Sequence, residues 1–235
     1  MVIRMDPRKL FIDDRLQGIC AYCGATADSR DHVPSRILLD EPYPNNLPVA
    51  ESCTQCNQGF SLSEEYFACL IECVIQGTTI PNIKFRPKVA ETLEARPSIR
   101  QRIEHSKEVG ENNNVIWKPE SERVKEVILK LARGHVSYEL GIHHIEPPEI
   151  IEILPIPVMS EEQIRLFFSL ENDVGHLYPE IGSRAFINSL TGKATAYDRW
   201  HIIQGDRYQY ALGQSCGDWV KIVFSNYLAC HVMWQ

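Results

Sequence analysis

One stretch, Cys20 to Asn57, constrains this chain more than any other. It runs Cys20-Ala21-Tyr22-Cys23-Gly24, then Asp31-His32-Val33-Pro34, then Asn46-Leu47, then Cys53-Thr54-Gln55-Cys56-Asn57. Two Cys-x-x-Cys pairs thus fall within 38 residues. Paired two-residue spacings are the usual sequence form of a tetrahedral zinc site, so Cys20, Cys23, Cys53 and Cys56 are the expected ligands of a structural Zn²⁺. The interval between and after the pairs also carries a candidate general base (His32), a carboxylate (Asp31) and two amides (Asn46 and Asn57).

The flanking pattern predicts how the stretch folds. Gly24 permits the tight turn of the first knuckle. Residues 30–50 read as a β-hairpin, with His32-Val33 on the first strand, Pro42, Pro44 and Asn45 in a wide loop, and Leu47 to Ala50 returning. The second knuckle leads into helix and puts Asn57 on its first turn. Ser61-Leu62-Ser63-Glu64 has the form of a capping box, followed by Phe67, Leu70, Ile71, Val74 and Ile75 at helical spacing and by Gly77 as a stop.

Further along, helices are expected over 88–96 and 98–108, broken at Pro97, with a turn at Asn112-Asn113-Asn114. Another helix begins at Ser121, carries Val124, Val127, Ile128 and Leu131 on one face, and stops at Gly134. Ile150 to Leu154 reads as a strand, and Ser160-Glu161-Glu162-Gln163 as a second capping box opening a helix with Ile164, Phe167 and Phe168 inward. Four β-rich runs close the chain: Tyr197–Ile203, Tyr208–Leu212, Trp219–Phe224 and Tyr227–Trp234. The expected class is α+β: a zinc-stabilised finger, a helical segment, then an antiparallel meander covered on one face by helices. The expected division is 1–80 for the finger with its trailing helix and 81–235 for an α+β domain. Residues 1–17 are expected to form a lead-in helix or arm.

Composition narrows the class. No stretch approaches the roughly 18 apolar residues of a membrane span, and charges interrupt the N-terminal residues, so a soluble, cytoplasmic protein is expected. Outside the knuckles, Cys69, Cys73, Cys216 and Cys230 are expected to be small buried hydrophobes, the latter two in β structure. The net charge of −7 is unevenly spread. Residues 81–134 hold twelve Lys/Arg against eight Asp/Glu, and residues 135–180 hold one against nine. The first segment could meet a phosphate backbone, the second a partner protein or solvent.

The Cys20–Asn57 stretch resembles the HNH endonucleases (the ββα-metal finger) with zinc knuckles. Asp31-His32 matches that family's first motif, Asn46 its central Asn, and Asn57 its third position, which is often His; residues 18–60 carry the resemblance. It implies metal-dependent hydrolysis of phosphodiester bonds, with DNA ahead of RNA as substrate. It implies His32 as general base, Asp31 and Asn57 as ligands of a catalytic Mg²⁺ or Mn²⁺, and Asn46 as the residue that ties the hairpin loop and orients the His. A cation often follows the third position in this family. Here Gln58-Gly59-Phe60-Ser61 follows, so Arg30, Arg36 or the basic segment would have to supply it. Bacterial restriction or phage defence, a protein partner and a homo-oligomer are further implications.

Two other readings compete. The four cysteines could hold a non-catalytic zinc ribbon that binds nucleic acid or protein, or carry an iron–sulfur cluster. The finger could also belong to an effector that is silent without a partner. His143-His144 reads as a loop, and Tyr208, Tyr210, Trp219 and Tyr227 as core and sheet surface ahead of a base-stacking platform.

Overall fold

The computed structural model describes residues 16–110, 115–170, 179–191 and 200–235. The lead-in at 1–15, the Asn112–Asn114 turn and the first part of the Tyr197–Ile203 run lie outside them.

The finger forms as a short hairpin followed by helix. Strand β1 (Ser29–His32) pairs antiparallel with β2 (Val49–Ser52), placing Asp31 opposite Ala50 and His32 opposite Val49. The return strand therefore starts two residues later than Leu47. Helix α1 (Thr54–Gly59) follows, capped by Cys53, whose sulfur accepts the Cys56 N–H. Phe60 stays in the right-handed helical region, so α1 runs almost directly into α2 (Ser61–Gln76). The expected capping box at Ser61 is therefore absent. The Glu64 N–H is satisfied by the Phe60 carbonyl, Ser61 Oγ donates to the Gln58 carbonyl, and the Glu64 carboxylate is used elsewhere. Gly77, at φ 68°, ends α2.

Helices α3 (Pro87–Ala95) and α4 (Pro97–His105) each begin with proline at the first position, where the missing N–H is not needed. A small hairpin, β3 (Lys107–Val109) with β4 (Val115–Trp117), leads to the long helix α5 (Ser121–Leu140). This helix was expected to stop at Gly134, but it continues for six residues and ends at Gly141, φ 68°. Gly134 is a packing residue: a Cβ there would lie 2.6 and 2.9 Å from the two methyls of Val33. The backbone of α5 approaches the finger because that side chain is missing.

The C-terminal sheet has the order β5-β9-β8-β7-β6 with every pairing antiparallel. Its strands are β5 (Ile150–Pro155), β6 (His201–Gln204), β7 (Tyr208–Gly213), β8 (Asp218–Phe224) and β9 (Leu228–Trp234). The last four make the expected meander, and β5 adds beside β9. Between them lie α6 (Glu161–Phe168), with the predicted capping box at Ser160, and α7 (Arg184–Leu190). Ile164, Phe167 and Phe168 are half-buried on α6.

Alternate residues of β7, β8 and β9 (Tyr208, Tyr210, Leu212; Val220, Ile222, Phe224; Cys230, Val232, Trp234) join the main core. On the other face Leu170, Ala211 and Trp219 form a second, smaller cluster, so the cover is not confined to one side. Helix α5 is the spine, touching α2, β2, α7, β8 and β9. The main core runs without a break from Cys20 to Trp234, across residue 80. Cys69, Cys73 and Cys230 are buried as expected, whereas Cys216 is exposed, on a turn at φ 58° rather than in a strand. No helix among the described residues is long and apolar enough to cross a membrane.

Candidate metal centre and the finger around it

The two knuckles meet. One ligand atom each from Cys20, Cys23, Cys53 and Cys56 lies within 4.8 Å of all the others. Bonds of about 2.3 Å to one tetrahedral ion require sulfur–sulfur edges of ~3.8 Å. The Cys23–Cys53 sulfurs are 3.8 Å apart. Four thiols this close could hold a single ion, and the donor set suits Zn²⁺.

Backbone hydrogen bonds build the cradle. Cys20 N–H donates to the Ala25 carbonyl and Gly24 N–H to the Cys20 carbonyl, closing the first knuckle with Gly24 at φ 74°. Ala21 N–H donates to the Glu51 carbonyl, strapping that knuckle to β2. The Cys56 thiol is pushed up, first by burial and then by the neighbouring thiols. The Cys53 thiol is drawn down, chiefly by the Cys56 N–H that points at it.

His32 ends β1 and is half-buried. Its Nε2 lies 3.3 Å from a guanidinium nitrogen of Arg36, which in turn sits over the Tyr43 ring. Its Nδ1 is buried and has no partner among the described residues. Burial, and then the Arg36 and Lys130 charges, lower the His32 pKa against an opposing pull from Asp31. The ring is therefore held neutral near pH 7, the state in which it can accept a proton.

Asp31 is 5% exposed and belongs to a buried polar cluster. Its Oδ2 accepts the Tyr22 hydroxyl at 2.7 Å and meets the Lys130 ammonium at 2.7 Å. Lys130, 2% exposed, reaches in from α5 and also pairs with Glu64 Oε1 of α2 at 2.5 Å. Tyr22 packs edge-on against Phe60, whose ring lies 5.8 Å from the same ammonium. Burial raises the Glu64 pKa against the pull of Lys130, and pushes the Tyr22 hydroxyl well up, with Asp31 adding to it.

Neither amide has the part expected of it. Asn46 is exposed on the hairpin turn and makes no side-chain hydrogen bond among the described residues. The loop is tied by others: Gln204 pairs with the Asp40 backbone on both sides, and Arg86 donates to the Ile37 and Leu39 carbonyls. Asn57, expected as a metal ligand, is a structural tie instead, its Nδ2 donating to Ser29 Oγ and the Arg30 carbonyl and so holding α1 to β1.

A divalent cation shared by Asp31 and Asn57 does not fit this arrangement. The carboxylate already carries an ammonium and a hydroxyl, and its burial leaves little room for the waters Mg²⁺ keeps. Among the described residues the four cysteines are the only cluster of three or more His, Cys, Asp or Glu groups suited to hold a metal.

Sequence reasoning missed Lys130, Glu64 and Tyr22. A signal for Lys130 was present: a lysine three residues after Val127 and four before Gly134, inside an apolar helical face. The chain matches no protein-family model, no curated protein and no solved structure.

Proposed function

We propose that the finger is an HNH-type endonuclease that hydrolyses phosphodiester bonds of nucleic acid, DNA ahead of RNA. The observation that carries this reading is His32: a ring at the end of a short strand, 3.3 Å from the Arg36 guanidinium, on a hairpin flanked by the four cysteines, where burial favours its neutral form. His32 takes the proton of a water as its oxygen bonds to phosphorus. The bond from phosphorus to the 3′ oxygen breaks, and that oxygen takes a proton from solvent, leaving a 5′-phosphate and a 3′-hydroxyl. Arg36, exposed beside the ring, would meet the phosphate oxygens with its guanidinium.

A non-catalytic zinc module that binds nucleic acid or protein is the second reading. Its support is the engagement of Asp31 with Lys130 rather than with an open coordination site. A partner protein or a second copy of the chain is compatible with either.

The test is nicking and linearisation of supercoiled plasmid, with single-stranded DNA and RNA alongside, by zinc-loaded protein and His32→Ala, with and without Mn²⁺. The nuclease reading expects cleavage that falls about 10²–10⁴-fold in the variant, as removal of a general base does, with zinc content unchanged. Cleavage that survives His32→Ala, or none on any substrate, gives the site to the binding module.

A further inference from the structure

The least expected group in the finger is the one sequence reasoning passed over. A lysine side chain is almost never fully buried unless paired, and Lys130 is buried beneath β1, between Asp31 and Glu64. Its ammonium touches the carboxylate that the HNH resemblance gives to a metal. The side chain is also fixed in place. Gly134, one turn further along α5, lets Val33 press against the helix backbone directly after His32, and the Phe60 ring lies beside the ammonium.

We propose that Lys130 is the resident cation of the finger. Its ammonium takes the place at Asp31 that a divalent ion would hold, so the chain binds zinc at its cysteines and no second metal at Asp31. The charge argument is direct. A divalent cation on Asp31 would stand within a few ångströms of a fixed positive charge in a poorly solvated pocket, where like charges repel far more than in water. It would also have to shed water to enter a site with 5% exposure. The tethered ammonium needs neither step. In the nuclease reading Lys130 is a positioning residue: it balances Asp31 and adds its field to Arg36 at the His32 ring. The proposal rests on that reading for its consequence in catalysis, but its metal-binding readout does not.

The experiment is Mn²⁺ binding followed by electron paramagnetic resonance on the zinc-loaded full chain, comparing wild type, Asp31→Asn, Lys130→Met and the double variant. Wild type and Asp31→Asn should bind Mn²⁺ equally weakly. Lys130→Met, which keeps the length and removes the charge, should gain at least roughly tenfold in affinity, and the double variant should lose that gain. One Mn²⁺ bound by wild type and lost in Asp31→Asn overturns the proposal. So does a zinc-retaining Lys130→Met protein that gains nothing. If Lys130→Met does not fold, the wild-type and Asp31→Asn pair decides alone. Cleavage assays separate this from the nuclease reading. Mn²⁺-dependent cutting together with an Asp31-dependent Mn²⁺ site overturns the Lys130 assignment and keeps the nuclease. No cutting, with no Mn²⁺ site at Asp31, does the reverse.

Discussion

The finger and the C-terminal sheet are held together by different means. The finger has strands of four residues and few large apolar side chains in the core: Tyr22, Val33, Leu38 and Leu39. Its geometry depends on four sulfurs meeting and on one buried ammonium between two carboxylates. The sheet has central strands of six or seven residues, buried along most of their length, with Tyr208, Tyr210, Ile222, Val232 and Trp234 packed on the helices. One region is closed by a few strong, specific contacts, the other by many weak ones. The two should therefore fail under different perturbations, even though a single core joins them.

Removing the metal should have the largest effect and should divide the molecule. Structural Zn²⁺ sites contribute about 10–16 kcal/mol of apparent binding free energy to folding at neutral pH. Chelation, or Cys56→Ser, should erase hydrogen-exchange protection across 20–60 while β7, β8 and β9 keep theirs. Loss of protection throughout the sheet would show that the two regions fold as one cooperative unit.

The reciprocal change is Ile222→Ala, in the middle of β8. Truncating a fully buried isoleucine should cost about 2–5 kcal/mol in a denaturant melt, with zinc affinity unaltered. A matching fall in zinc affinity would erase the distinction.

Gly134→Ala acts on the joint. The new methyl would stand 2.6 Å from Val33, so overpacking of roughly 1–3 kcal/mol is expected, only partly offset by about 1 kcal/mol of helix propensity. Melting should locate the loss, and Val33→Ala in the same chain should restore most of it.

The most gradual effect is a pH dependence carried on the sheet side. His135 is fully buried on α5, its Nε2 is 2.6 Å from the Tyr208 hydroxyl, and its ring is stacked on Tyr210. Burial, aided by the charges of His201 and Lys130, holds its pKa well below the usual histidine value. The unfolded chain takes up a proton below about pH 6.5 that the folded chain refuses. Stability is therefore full above that pH and falls as pH drops, by about 1.4 kcal/mol per unit for this one group. His135→Gln should flatten the slope between pH 6.5 and 5 in denaturant melts. His32 and His143, also lowered chiefly by burial, should add a smaller slope of the same sign.

Local chemistry was readable from the sequence; long-range pairing was not. The knuckles, the Gly77 stop, Pro97, the Ser160 capping box and the C-terminal strands depend on residues a few positions apart, and their positions followed closely. Glu64 and Gly134 were misread for one reason. Each has a local meaning, a capping carboxylate and a helix stop, that a distant partner overrides: Lys130 for the first and Val33 for the second. Asn46 and Asn57 show the same limit within the finger, since motif position did not reveal which amide would find a carbonyl to hold.

The Asp31–Lys130 contact also sets an order of events during synthesis. The two residues stand 99 positions apart. At the ~5–20 residues per second of translation, Asp31 leaves the ribosome ~5–20 s before the lysine that will neutralise it. Through that interval the nascent finger carries an uncompensated carboxylate and lacks the helix it leans on. The site then comes into being only when α5 arrives and delivers its charge.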